Sequence, residues 1–169
     1  MSVHHTHSDK HEAHRQLVAR LRQQAGDVAR ITSGLDETSL ANRTVPEKWS
    51  IKELVCHLHR VQQIFEARVN AMLAQDNPAI TSYMPDGDVE FEKMVTRPAQ
   101  DGIRAFLEDR ERLALRIDEL SASDWHRPGK HPDYPHYDVH FQIEYMVHHE
   151  AHHIYQMYQR RVPFGKMPH

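Results

Sequence analysis

Apolar residues recur every three or four positions in four long segments, the spacing of side chains on the buried face of a helix. These segments cover residues 9–33, 50–74, 98–120 and 138–161. The strict alternation of apolar and polar residues that marks β-strands is absent. The pattern therefore predicts an all-α fold, a four-helix bundle formed by residues 9–165 as a single domain.

The start of the second predicted helix is defined by capping residues. Ser50 is a suitable N-cap, and Glu53 stands three residues later, where it completes a capping box. Trp49 and Leu54 occupy the positions of a hydrophobic staple. These contacts fix the first residue of the helix, and therefore the direction of His57 two turns later.

Two linkers between the predicted helices are long for a tight antiparallel bundle. Residues 75–97 are long enough to let the second and third helices run parallel. Residues 121–137 are rich in proline, histidine and aromatic residues, and we expect them to cover one end of the bundle.

Composition narrows the possible functions of the 169-residue chain, whose formal net charge is −3. The chain has no basic cluster for nucleic acid, no apolar run long enough for a membrane span and no apolar signal-peptide core. Its single cysteine, Cys56, excludes an internal disulfide and is typical of a cytoplasmic protein. Histidine is abundant, with 16 copies, and some of these lie in residues 1–8, which we expect to form a disordered tail.

Two histidine pairs with i, i+4 spacing lie on the fourth predicted helix. On a helical wheel His149 and His153 fall at the edge of the apolar face, whereas His148 and His152 fall further towards solvent. We therefore expect the second pair to be solvated and the first pair to be the better candidate for ligands.

The second predicted helix adds a third candidate. His57 falls just inside one edge of its apolar face, and His59 falls outside the opposite edge. His57, His149 and His153 are thus placed to converge on one divalent metal, leaving it an open position. Imidazole nitrogens suit Zn, Ni, Fe or Cu better than Mg or Ca. Spacing alone leaves open the alternative that these histidines hold no metal.

The segment HEAHH, residues 149–153, also matches the H-E-x-x-H signature of zinc peptidases. That mechanism needs a third ligand, but Gln156 and Gln159 stand where the extended motif has glycine and histidine. No acidic residue follows His153. A di-iron bundle would need a second Glu-x-x-His motif, which the other core-facing segments lack. A mononuclear site agrees better with the sequence than either alternative.

The stretches WSIKELVCHL and HEAHHIYQ together resemble the DinB/YfiT-like superfamily of metalloproteins. The resemblance covers nearly the whole chain. It implies a four-helix bundle with up-down-down-up topology, usually a homodimer, and a metal site formed by His57, His149 and His153. The glutamine that follows the histidine pair in this family corresponds to Gln156.

The resemblance also implies candidate activities. Family members include S-transferases that use small thiols such as bacillithiol or mycothiol, so we expect a thiol and an electrophile as substrates and Zn, Ni or Fe as the cofactor. A hydrolase of a small molecule, with Glu150 as the catalytic base, and a non-catalytic metal-binding bundle are the alternatives. Glu150 lies within the apolar face, and pairing with a neighbouring helix is the other interpretation of its position.

Cys56 and four arginines are expected to have structural or solvated roles. Cys56 points away from the predicted ligand edge and is expected to be a packing residue. Four arginines are interpreted as solvated, with carboxylate binding as the alternative: Arg60, Arg68, Arg160 and Arg161.

Overall fold

Helices make up most of the part of the chain that the computed structural model describes, residues 5–168, with side chains from residue 12 onward. The α-helices are α1 (His5–Thr32), α2 (Glu37–Ala41), α3 (Ile51–Ala74), α4 (Val89–Thr96), α5 (Ala99–Asp118) and α6 (Val139–Arg161). Two short 3-10 helices follow α5 and α6, at Asp124–His126 and Val162–Phe164. The four long helices are those predicted from the apolar spacing, and α2 and α4 are additions within the linkers. Residues 1–4 of the expected tail lie outside the described residues, and α1 already begins at His5.

Side-chain caps fix the first residue of the two helices that carry the candidate ligands. Ser50 Oγ accepts a hydrogen bond from the Glu53 amide at 3.1 Å, and Glu53 Oε1 accepts one from the Ser50 amide at 3.1 Å. This is the capping box predicted from the sequence. At the start of α6, Asp138 accepts a hydrogen bond from the Phe141 amide at 2.8 Å. Caps of this kind each contribute about 1 kcal/mol and set the rotation of the helix about its axis.

Helices α1 and α6 are parallel neighbours in the bundle. Gln24 donates to the carbonyl of Val147 at 2.8 Å, and Arg161 donates to the carbonyl of Ile31 at 3.0 Å. Residue numbers therefore increase in the same direction along both helices. Each of the two also packs against another long helix, α1 against α5 and α6 against α3.

Helices α3 and α5 are likewise parallel. His59 pairs with Asp109 across this interface, and Glu66 lies 3.8 Å from Arg116 further along both helices. The long linker between them, which includes α4, makes this parallel arrangement possible.

Helix α3 runs antiparallel to α6. Arg160, near the end of α6, donates to the carbonyl of Trp49 just before α3, whereas Arg68, near the end of α3, donates to Gln142 at the start of α6. Because α1 follows the direction of α6 and α5 follows that of α3, the topology is up-down-down-up. This confirms the fold expected from the sequence.

The buried apolar residues form two clusters along the bundle. One cluster surrounds Leu21, Phe65 and Met72, and the other surrounds Leu54, Phe106 and Met157. A fully buried Leu or Phe contributes roughly 1.5–3 kcal/mol, so the bundle has a core of its own. None of the described helices is long and apolar enough to cross a membrane.

The linker after α5 covers the end of the bundle where α3 terminates, as the sequence predicts. Arg127 donates to the carbonyl oxygens of Met72 at 2.9 Å and Gln75 at 3.0 Å, which lack partners within the helix. The linker also pairs with the segment after α3, since the Ile80 amide donates to the Lys130 carbonyl at 2.7 Å. The two linkers therefore form one wall above the bundle.

Candidate metal centre

Three histidines from α3 and α6 meet at one point, as predicted from the sequence. One ring nitrogen from each of His57, His149 and His153 lies within 4.8 Å of the corresponding nitrogens of the other two. Nε2 of His149 and Nε2 of His153 are 3.2 Å apart. The His57 ring centroid is 4.6 Å from that of His153. This is the spacing of nitrogen atoms that can share one small cation.

The local sequence explains why these particular histidines converge. His149 and His153 are separated by one helical turn and therefore lie on the same face of α6. The antiparallel packing of α3 brings His57 opposite them, where it is 5% exposed. His148 and His152 are exposed, as predicted.

Burial keeps the three rings neutral. Burial, followed by the charges of neighbouring histidines, lowers the pKa of His57 to about 3 and that of His149 to about 4. The pKa of His153 is also lowered, mainly by burial. A neutral imidazole has a free lone pair, and the lone pair is what a metal ligand needs.

One residue outside the triad orients a candidate ligand, His153. Gln156 Oε1 lies 2.7 Å from Nδ1 of His153. An amide oxygen only accepts, so Nδ1 carries the hydrogen and the Nε2 lone pair points towards His149. By contrast, Nδ1 of His57 and Nδ1 of His149 are buried and have no hydrogen-bond partner among the described residues. The triad therefore uses few of its ring nitrogens for hydrogen bonds, and its donor set suits Zn, Ni or Fe.

The triad forms part of the wall of a cavity of about 360 Å³, large enough for a small organic molecule. Both linkers contribute to this wall through Ser82, Tyr83, His131 and Tyr134. Aromatic side chains dominate the lining: Trp49, Phe65, Tyr83, Tyr134, Tyr137, Phe141 and Tyr145. The cavity thus places a mainly apolar binding surface beside three imidazole nitrogens that could hold a metal.

Glu150 lies in the core and not in the cavity wall. Its carboxylate accepts hydrogen bonds from both terminal nitrogens of Arg110 on α5, and Nη1 lies 2.6 Å from Oε1. Arg110 also donates to Gln62 at 2.7 Å and to the carbonyl of Leu21 at 3.0 Å. Both ionic side chains are almost completely buried, at 1% and 3% exposure.

This geometry does not support Glu150 as a catalytic base. Its oxygen atoms neutralise a buried guanidinium, and an unpaired charge there would be strongly unfavourable. The alternative of pairing with a neighbouring helix is what the structure shows. The peptidase interpretation of HEAHH also weakens, because its water-activating glutamate is held away from the triad.

The helical-wheel prediction that His59 lies outside the buried face of α3 was wrong. The residue is 3% exposed and its Nε2 lies 2.5 Å from Asp109. The prediction considered one buried face of α3, whereas α5 covers a second one. Cys56 is buried outside the cavity wall, as expected, and burial raises the pKa of its thiol to about 11.

The arginines expected in solvent have different roles. Arg161 is buried and donates to the carbonyls of Ile31 and Ser33. Arg60 pairs with Asp88 at 2.7 Å. Arg68 lines the cavity. No pattern in the sequence separates the four arginines, because their surroundings are formed by the linkers and by neighbouring helices.

Comparison with known proteins identifies the family of this fold. Residues 20–157 match the DinB superfamily. The structure is similar to that of YfiT from Bacillus subtilis, described as a probable metal-dependent hydrolase with an unusual four-helix bundle topology. The TM-score is 0.77 at 17% sequence identity, over 89% of this chain and 87% of YfiT. No curated protein sequence gives a significant match to the chain. Since the family match covers most of its length, the chain belongs to the DinB superfamily.

Proposed function

We propose that the chain is a metal-dependent enzyme that joins a small thiol to an electrophile. In this proposal His57, His149 and His153 hold a divalent Zn, Ni or Fe ion. The observation that carries it is the convergence of three neutral imidazoles in the wall of an aromatic cavity. When bound, such a cation lowers the pKa of a coordinated thiol and so supplies a nucleophile at neutral pH.

The protein's own residues bind the substrates and shield the site. The Trp49 ring lies 4.8 Å from the His57 ring and 5.4 Å from Phe91 of α4. The Trp49 ring also lies 6.5 Å from the His153 ring, so these aromatic side chains cover part of the triad. The tyrosines and phenylalanines of the wall offer apolar contact to an electrophile. The sulfur of the thiol forms a bond to a carbon atom of the electrophile. The bond from that carbon to the leaving group breaks, the leaving group departs with the electron pair, and the thiol proton passes to solvent.

Conjugation of a thiol to an electrophile is compatible with the buried position of Glu150. Attack by a thiolate needs no general base once the thiol has lost its proton. The burial of Glu150 against Arg110 is therefore no obstacle to thiol chemistry, whereas it removes the base that a hydrolase was expected to use.

Hydrolysis of a small molecule is the second candidate. The similarity to YfiT, described as a probable metal-dependent hydrolase, favours it. Asp133 is an acidic residue of the cavity wall, and it would be the candidate acceptor of the proton from water.

The test is an assay of protein loaded separately with Zn, Ni or Fe(II). Conjugation of bacillithiol, mycothiol or cysteine to an aryl halide is measured beside hydrolysis of small esters and amides. Conjugation that persists in His152→Ala and is lost in His153→Ala supports the transferase. Hydrolysis without conjugation supports the second candidate, and bound metal with neither activity supports a binding protein. The homodimer remains a prediction, which light scattering can test. The cytoplasmic location also remains a prediction.

A further inference from the structure

The guanidinium of Arg68 is a positive charge in the cavity wall that no carboxylate of the described residues neutralises. Its Nη2 donates to the carbonyl of Thr81 at 2.8 Å, and its Nη1 donates to Oε1 of Gln142 at 3.3 Å. Both partners are neutral. No carboxylate of the described residues pairs with Arg68 within 4.0 Å, although Arg60 on the same helix has Asp88. The two acceptors therefore orient Arg68 and leave its charge available.

His131, from the linker after α5, adds a second hydrogen-bond donor to the same wall. Its Nδ1 accepts a hydrogen bond from the amide of Asp133 at 3.1 Å. In a neutral ring the hydrogen must then be on Nε2, which makes Nε2 a donor. Burial, and after it the positive charge of Arg68, lower the pKa of His131 and keep the ring neutral. Arg68 and His131 both line this cavity.

Distances from the Phe65 ring set an upper limit on the separation between Arg68 and the triad. Its centroid lies 5.9 Å from the His149 ring and 5.3 Å from Cζ of Arg68. The guanidinium is therefore no more than about 11 Å from His149, the sum of these two distances. One small molecule can span that separation.

The wall also contains an acidic residue, Asp133. Its side chain is 67% exposed and accepts a hydrogen bond from the Ser82 hydroxyl at 3.1 Å. Its carboxylate lies 3.9 Å from Nδ1 of His131. Arg68 is half-buried whereas Asp133 is exposed, so water screens the charge of Asp133 more strongly than that of Arg68.

We propose that Arg68 and His131 form a subsite for the carboxylate of a substrate whose reacting atom lies at the histidine triad. The substrate class is a small organic acid with its reacting atom within about 11 Å of the carboxylate. The position of the reacting atom rests on the proposed function. Recognition of the carboxylate is independent of the proposed function, because it depends on donors outside the triad.

Binding of two matched probes tests the subsite without requiring any activity. The probes are 3-phenylpropanoate and its amide, 3-phenylpropanamide, and calorimetry gives their dissociation constants for metal-free and zinc-loaded protein. We expect the carboxylate to bind more tightly than the amide by a factor on the order of ten, in both forms. Equal affinities overturn the proposal. So does a preference confined to the zinc-loaded form, because that would place the carboxylate on the metal.

Variants then test whether the preference depends on Arg68. Arg68→Met should reduce it to less than about twofold, and Arg68→Lys should keep part of it, since a lysine retains the charge without the planar fork. Arg104→Met is the matched control, because Arg104 is 67% exposed on α5 and outside the cavity wall. Full preference in a folded Arg68→Met protein, checked by its thermal transition, overturns the proposal.

Substrate pairs locate the carboxylate if conjugation is found. A preference for cysteine over cysteamine that disappears in Arg68→Met places the carboxylate on the thiol. A corresponding preference for an acidic electrophile over its amide places it on the electrophile. Failure of conjugation with the probe preference intact would contradict the proposed function alone, and leave the subsite supported.

Discussion

The side-chain oxygen of Gln156 lies 2.7 Å from Nδ1 of His153, one turn earlier on α6. This contact holds the His153 ring in one orientation and one tautomer, with Nε2 directed at Nε2 of His149 3.2 Å away. Residues that hydrogen-bond to a ligand in this way raise its basicity and limit its rotation. In the proposed metal site, Gln156 would therefore hold His153 ready to bind a cation.

Replacing Gln156 by leucine should weaken metal binding. We expect the affinity to fall by about 10–100-fold, the range found when such supporting partners are lost. Competition against a chromophoric chelator measures this change. Gln159→Leu is the matched control, since Gln159 is exposed on the same helix. Equal affinities in the two variants would show that the hydrogen bond has no part in metal binding.

Alanine substitutions should separate ligands from solvated neighbours. His57→Ala, His149→Ala and His153→Ala should each lose most bound metal, whereas His148→Ala and His152→Ala should keep it. The background protein should carry serine at each histidine of residues 1–8, so that the tail contributes no adventitious binding. Elemental analysis after gel filtration gives the occupancy. Full occupancy in all three of the first variants would remove the proposed site.

Metal binding should persist to unusually low pH. Burial, followed by the neighbouring histidine charges, lowers the pKa of His57 to about 3 and of His149 to about 4, against 6.5 for an unperturbed ring. Protons therefore compete with the metal at these two rings only below about pH 5. Equilibrium dialysis with zinc between pH 7.5 and 4 gives the midpoint of release. A midpoint near 6.5 would mean that the ligands are solvated histidines.

The same shifts affect the metal-free protein. Because the pKa is lower in the folded state, the unfolded chain binds more protons below about pH 6.5. The free energy of unfolding should therefore decrease as the pH falls from 6.5 towards 4, which is the direction expected for buried neutral histidines.

The long helices were predictable because each carries several turns of apolar spacing. The second predicted segment, 50–74, differs from Ile51–Ala74 by the cap residue alone. Helices α2 and α4 have 5 and 8 residues, too few for a period of 3.6 to be recognised. They are stabilised by caps and by packing on α3, and a helical-wheel plot shows neither kind of interaction.

The candidate site was predictable only in part. His57, His149 and His153 follow from their wheel positions, because each lies at the edge of one apolar face. The partners of Glu150 and His59 depend on which helix covers a second face, and this is set by the up-down-down-up topology. His131 reaches the cavity from a linker without periodicity, so its position follows only from the folded structure.

The ion pair of Glu150 with Arg110 should be necessary for stability. Glu150→Leu leaves a buried guanidinium without its charge partner, and we expect a loss of about 3–5 kcal/mol in the free energy of unfolding. Urea denaturation of the metal-free protein measures it. The double variant Arg110→Leu with Glu150→Leu should be more stable than Glu150→Leu alone, because it removes the unpaired charge. If the double variant is the less stable of the two, the cost lies in packing and not in the charge.

The remaining prediction concerns the H-E-x-x-H match itself. In a zinc peptidase the glutamate activates water at the metal, but here both carboxylate oxygens accept hydrogen bonds from Arg110. An extended substrate is also commonly aligned by pairing with a strand edge, and the described residues have only isolated β-bridges. We therefore expect the zinc-loaded protein to cleave no peptide in a broad peptide library, with mass spectrometry as the readout. Glu150→Gln should retain bound zinc, because Glu150 is not among the converging side chains. Reproducible cleavage that disappears in a folded, zinc-containing Glu150→Gln protein would restore the peptidase interpretation, and would require Glu150 to leave Arg110 during catalysis.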